Sequence, residues 1–154
     1  MSVPRIYLDT SVIGGCFDAA FATWSLSLMR NIRIGAFVAV ISDLTEEELV
    51  GAPPSVRKVL EELTEGPCER IAENMEAALL SDKYLAEAIL TESYRDDARH
   101  IAIATVHEVD ILVSWNFRHI VHYDKIWRFN AVNALMGYKK LRIFSPMEVA
   151  NEEV

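Results

Sequence analysis

Short apolar runs alternate along the chain with longer amphipathic stretches. Ile6-Tyr7-Leu8, entered from Arg5, predicts a buried strand. Phe37-Val38-Ala39-Val40-Ile41, Ile111-Leu112-Val113 and Leu141-Arg142-Ile143-Phe144 predict three more. Helical patterns fill the intervals. Phe21 to Ile34 places Phe21, Trp24, Leu28 and Ile32 on one stripe and stops at Gly35. A second helix opens at Ser42-Asp43, carries Glu46, Glu47 and Glu48 in its first turns, and ends before Pro53-Pro54. Further helices are predicted over 56–63, over 74–90, from Asp96-Asp97 onward, and over 125–136, where Gly137 stops the last.

Continuously apolar strands separated by helices predict an α/β fold, with a mostly parallel sheet covered on both faces. In open sheets of this kind ligands bind beyond the carboxyl ends of the strands. Asp9 follows the first strand, Ser42-Asp43 the second, and Ser114-Trp115-Asn116 the third, while Glu48 and Asp97 sit in neighbouring helices. The pattern aims several oxygen donors at one sheet edge. Clustered carboxylates repel one another unless a cation joins them, and hard oxygen donors select Mg²⁺ or Mn²⁺ over zinc.

Each acid also has a simpler role. Asp9 can satisfy turn N–H groups, Asp97 can cap its helix, and the three glutamates can answer a helix dipole. Glu48 lies four residues after Leu44 and shares its buried face, so it is preferred over Glu47 as the site acid. Asp110 lies at the amino end of its strand, away from the edge in question. The four histidines are scattered and are assigned to no site.

Composition narrows the class. The 154 residues are 51% hydrophobic and 25% charged, which fits one globular domain over 1–154. A net charge of −8 excludes a protein that coats nucleic acid by bulk electrostatics. The charge is uneven, however. Residues 114–144 hold six basic residues and one acid, a net +5, leaving −13 for the remainder. Cys16 and Cys68 form no metal or redox motif, so a reducing compartment is expected. Met1 to Arg5 lack the pattern of a secretory leader, and the longest uncharged apolar-leaning run, Ala19 to Met29, is too short for a bilayer. A cytoplasmic protein with no membrane association is expected.

The ordered segments resemble a PIN domain, the nuclease fold of the VapC-type toxins of bacterial and archaeal toxin–antitoxin pairs. The resemblance is carried by Ile6-Tyr7-Leu8-Asp9-Thr10-Ser11-Val12, by Ile41-Ser42-Asp43-Leu44 with Glu48-Leu49, by Asp97-Ala98-Arg99-His100-Ile101-Ala102-Ile103-Ala104, and by Asp110-Ile111-Leu112-Val113-Ser114-Trp115-Asn116-Phe117. It spans roughly Arg5 to Val149. It implies a three-layer α/β/α fold and metal-dependent hydrolysis of RNA phosphodiester bonds. Asp9, Glu48 and Asp97 would then be the metal-binding acids, with Thr10 and Ser11 supporting the first.

Ser114 falls at a small hydroxyl position, and Asn116 falls where many members of the family carry a fourth acid. An amide there can hold a metal or its water but brings no charge, so a second cation becomes dependent on substrate phosphate. Arg118, Lys125 and Arg128 are the candidate RNA-phosphate contacts. The resemblance further implies a homodimer and a small VapB-like antitoxin that buries the acidic cleft. Two other classes stand beside it. One is an inert PIN-like module that only binds a partner. The other is an aspartyl-phosphate phosphotransfer domain, which Ser11 and the non-acidic Ser2-Val3-Pro4 fit poorly.

Overall fold

A computed structural model describes residues 2–150. Five strands run β1 (Arg5–Leu8), β2 (Val38–Ser42), β3 (Cys68–Ile71), β4 (Ile111–Val113) and β5 (Arg142–Phe144). The helices are α1 (Thr10–Gly14), α2 (Ala22–Arg33), α3 (Asp43–Glu48), α4 (Pro54–Glu65), α5 (Met75–Ala86), α6 (Arg95–Val106), α7 (Tyr123–Leu135) and α8 (Pro146–Ala150). All strand pairs are parallel, in the order β3-β2-β1-β4-β5. The order reverses direction between β1 and β4, and that switch point opens a crevice at the carboxyl edge.

Alternation along β1 shows why both faces are covered. Tyr7 points into a core with Leu80, Tyr84, Ile101 and Phe129, from α5, α6 and α7. Ile6 and Leu8 point into the opposite core with Leu28 of α2, Ile41 and Val113. Leu28 is fully buried, and Phe21 and Trp24 pack against the same cluster, so the apolar stripe of α2 is core.

Several elements differ from the sequence pattern, the short helix α8 among them. Asp9-Thr10-Ser11, whose residues suit a turn or a helix cap, take the cap role: Asp9 is the N-cap of the short helix α1. The helix expected over 74–90 ends at Ala86, because Ala88 adopts a left-handed φ of 57°. β3 was not expected at all. Its residues Cys-Glu-Arg-Ile form an edge strand whose charges are paired outward, Glu69 with Arg5 at 2.8 Å and Arg70 with Glu46 at 2.7 Å. Charged edge strands of this kind avoid pairing with other chains, and for the same reason carry no apolar run. Among the described residues, no single helix is long and apolar enough to cross a membrane.

Candidate functional site

The carboxyl ends of β1 and β4 lie side by side, since Leu8 is in register with Val113. Asp9 follows the first and Ser114 the second. Asp9 is only 4% exposed. Its Oδ1 accepts from Ser11 Oγ at 2.6 Å and from the Val12 amide at 3.3 Å, and its Oδ2 accepts from Ser114 Oγ at 2.6 Å. Ser114 is itself fully buried and accepts the Asn116 amide at 2.9 Å. Ser114 thus holds Asp9 in place.

Asp97 stands in the first turn of α6. Its Oδ2 accepts from Asn116 Nδ2 at 3.2 Å and from His119 Nδ1 at 3.1 Å. Asp9, Ser114, Asn116 and Asp97 therefore form one continuous hydrogen-bonded row across the crevice. Glu48 closes the third side from the end of α3. Its Oε1 accepts from Thr10 Oγ1 and from His100 Nε2, each at 2.6 Å. Glu47 is exposed and takes no part, while Glu46 is drawn to Arg70.

The supporting residues divide differently from the expectation. Ser11 supports Asp9, but Thr10 serves Glu48. Asn116 has a definite orientation, because its Oδ1 accepts two backbone amides, Arg118 at 3.2 Å and His119 at 2.9 Å, and those can only donate. Its oxygen is committed to the turn, and its N–H faces Asp97. The expected role of an oxygen offered to a metal or its water is replaced by that of a donor to the neighbouring acid.

Electrostatics follow from this packing. Burial pushes the Asp9 carboxyl above its ordinary pKa, opposed by the nearby His100 and by the hydroxyls of Ser11 and Ser114. Burial likewise raises Asp97, and the nearby Glu48 charge adds to it, while His119 opposes. Burial also works to raise Glu48, but hydrogen bonds from His100 and Thr10 outweigh it and hold the group below its usual range. The signs give a pH prediction for the metal-free protein. Asp9 and Asp97 titrate higher folded than unfolded, so ionising them costs stability. Their contribution is complete below the ordinary 3.8 and is lost as pH rises through their folded values. Glu48 acts oppositely, and its contribution disappears as pH falls below its ordinary 4.5. Thermal unfolding in chelator from about pH 8 downward should show rising Tm, then a decline in the acid range. A Tm that falls monotonically from about pH 8 would contradict the burial of these two charges.

The donor set can be tested against a hard cation. On Asp97 and Glu48, one oxygen receives two protein donors and the other, Asp97 Oδ1 or Glu48 Oε2, has no partner among the described residues. No three His, Cys, Asp or Glu side chains among the described residues already stand at the spacing of a closed metal site. The available oxygens are hard, and the penalty on charging Asp9 and Asp97 is one that a divalent ion removes. The residues fit Mg²⁺ or Mn²⁺.

His100 and His119, assigned no role from the sequence, are the site residues it hid. A signal existed: His100 lies three residues after Asp97 on the same helix, and His119 lies three after Asn116, the spacing of a side-chain-capped turn. Among the basic residues, Lys125 Nζ donates to Ile89 O at 3.5 Å, and Arg128 donates to the carbonyls of Glu87 and Ala88 at 3.3 Å. Both help tie α7 to the turn that follows α5. Arg118 is exposed beside Asn116, and its guanidinium makes no hydrogen bond among the described residues. Trp115 is 5% exposed, stacks on Phe21 and donates to Ser25 Oγ at 2.8 Å, so it is core and no stacking surface for a base.

No protein-family model matches the chain, and no curated protein sequence matches it. Solved structures do. A chain of VapBC2 from Rickettsia felis, bound to a DNA fragment from its promoter, aligns with a TM-score of 0.58 at 11% identity over 92% of this chain and 98% of that one. A toxin–antitoxin complex from Klebsiella pneumoniae gives 0.54 at 20% identity over 74% and 88%. VapC20 from Mycobacterium tuberculosis, described as a sarcin–ricin loop cleaving toxin, gives 0.57 at 12% identity over 89% and 98%. At these identities the likeness is one of architecture: the chain has the PIN-like α/β/α fold of these VapC-type toxin structures.

Proposed function

We propose that this chain is a divalent-metal-dependent endoribonuclease of the VapC-like toxin kind. The observation that carries it is the convergence of Asp9, Glu48 and Asp97, from three separate elements, on the switch-point crevice. The shared fold supports it, since VapC20 carries that fold and is described as cleaving the sarcin–ricin loop. Mg²⁺ or Mn²⁺, when bound, supplies positive charge to a phosphate oxygen and lowers the pKa of attacking water. Asp9, Glu48 and Asp97 would hold the ion. The open oxygen of Glu48 would bind the ion directly or orient the attacking water. Ser114, Ser11 and Asn116 hold Asp9 and Asp97 in position through their O–H and N–H groups. Arg118, exposed at the rim, binds a flanking phosphate and positions the strand without reading its bases. The partners are RNA, a second copy of the chain, and an antitoxin of the kind present in the VapBC2 and Klebsiella complexes.

Cleavage of a structured RNA should stop in EDTA and resume on adding Mg²⁺ or Mn²⁺. Undiminished cleavage in excess chelator would end the metal-dependent reading. The donor set, not closed around an ion, favours one alternative, a PIN-like module that only binds a partner. Calorimetric titration with Mn²⁺ separates the two, because a module without a site takes up no stoichiometric ion.

Asn116 offers a sharper variant. In Asn116→Asp the carboxylate can still accept the two turn amides, but its second oxygen then faces Asp97 Oδ2 in place of an N–H. The metal-free protein should lose a few degrees of Tm, and Mn²⁺ should raise Tm by more than in wild type. Equal Mn²⁺-induced shifts in the two proteins would show that Asn116 does not face the ion-binding acids.

A further inference from the structure

His100 is 3% exposed, lies outside the set of metal-binding acids, and connects them to the interior. Its Nε2 meets Glu48 Oε1 at 2.6 Å, and its Nδ1 meets Tyr7 Oη at 2.6 Å. Tyr7 Oη lies 2.7 Å from Ser42 Oγ, and Ser42 Oγ accepts the Thr45 amide at 3.1 Å as the N-cap of α3. The chain of bonds leaves α3 at its first turn, crosses β1 and α6, and returns to the last residue of α3.

Its polarity follows from its ends. A backbone amide can only donate, and an ionised carboxylate can only accept. Tyr7 is fully buried and burial raises its pKa, so its hydroxyl keeps its proton. Glu48 accepts from His100 Nε2–H, so Nδ1 of that tautomer accepts from the Tyr7 hydroxyl, and Tyr7 Oη in turn accepts from Ser42 Oγ at 2.7 Å. Thr45 N–H then donates to Ser42, Ser42 to Tyr7, Tyr7 to His100 Nδ1, and His100 Nε2–H to Glu48 Oε1.

We infer that His100 is a positioning residue that selects which oxygen of Glu48 is presented to the ion. With Thr10 it occupies Oε1, so Oε2 is the free one, and the Ser42–Tyr7 relay holds the imidazole in the single tautomer that can do this. The inference rests on the nuclease reading of the site and adds a residue to it. A residue that only filled the core would leave metal affinity unchanged once the fold was intact.

The test uses the whole chain. Long-range ¹H–¹⁵N spectra of histidine-labelled protein should show His100 protonated at Nε2 and bare at Nδ1. Calorimetric titration should show Mn²⁺ affinity weakened about tenfold or more in His100→Ala, the usual cost of losing a group that orients a ligand. His100→Gln, whose amide N–H can reach Glu48, should recover most of that loss. Tyr7→Phe, which keeps the imidazole but removes its proton source, should disturb the tautomer and weaken Mn²⁺ binding, even if His100→Ala fails to fold. A proton on Nδ1 overturns the inference, as does a folded His100→Ala or Tyr7→Phe protein with wild-type Mn²⁺ affinity. Wild-type protein that binds no Mn²⁺ overturns the nuclease reading itself, and this inference with it.

Discussion

Asp9→Asn should lower the rate of metal-dependent RNA cleavage by about a thousandfold or more while leaving the fold in place. Asp9 is the most buried of the three acids, and both its oxygens are held, by donors from α1 and from Ser114 just after β4. The amide keeps the helix cap to Val12 and the hydrogen bond from Ser11, so local structure survives. It loses the charge. A bound cation is worth several kcal/mol to a transition state at phosphorus. At about 1.4 kcal/mol per tenfold in rate, weakening that contribution costs about three powers of ten. Because burial disfavours the ionised form of Asp9, the variant should match or exceed wild-type Tm at neutral pH in chelator. Measured cleavage rates and thermal unfolding on the same preparation check both halves. A variant that cuts at the wild-type rate removes Asp9 from the mechanism, and one that is inactive because it is unfolded removes the argument from charge.

Gly15→Ala is expected to have the largest effect on stability of any glycine-to-alanine change in the chain. A Cβ at Gly15 would lie 2.7 Å from Trp115 Nε1, 2.9 Å from Trp115 Cδ1 and 2.8 Å from Ser25 Oγ. No other glycine of the chain places a Cβ within 3.4 Å of a neighbour. The indole cannot swing aside. It is stacked on Phe21 with ring centroids 4.3 Å apart, and its N–H is bonded to Ser25, which in turn donates to Val12 O. Overpacking of this kind costs about 2–3 kcal/mol, which in a domain of this size lowers Tm by roughly 5–10 °C. The effect should also reach the site. Trp115 lies between Ser114 and Asn116, and its own amide donates to Ser11, the residue that holds Asp9. Weakened Mn²⁺ binding should therefore accompany the fall in Tm. A fall in Tm with unchanged Mn²⁺ affinity would show that the 114–116 turn does not depend on this packing.

The parts of the fold legible in the sequence are those whose burial is complete. β1, β2 and β4 are apolar on both faces because helices cover both, so they read as unbroken runs. β3 escaped notice for the opposite reason. It is an edge strand, half exposed, whose Glu69 and Arg70 are tied to residues from β1 and α3 that no local pattern reveals. α1 escaped because five residues are too few to show a helical period, and its start looks the same as a turn.

The position of Asp9 was legible as well, since it must lie at the carboxyl end of β1 wherever the strand packs. The histidines of the site were not. His119 reaches Asp97 across 22 residues of chain, His100 reaches Glu48 across 52, and Ser114 reaches Asp9 across 105.

The alternation of β1, β2, β4 and β5 with helices and the covering of the sheet on both faces follow from the amino-acid order alone. Each is set by local hydrophobic period and by the topology of a parallel sheet. Folding in three dimensions settled a finer matter: which oxygen of Glu48 and of Asp97 is held and which is left open, and that the Asn116 amide turns its N–H toward the acids. Hydrogen bonds act over about 3 Å and depend on angle. Their partners are therefore chosen by how β1, α3, α6 and the loop after β4 pack together, which no spacing along the chain encodes.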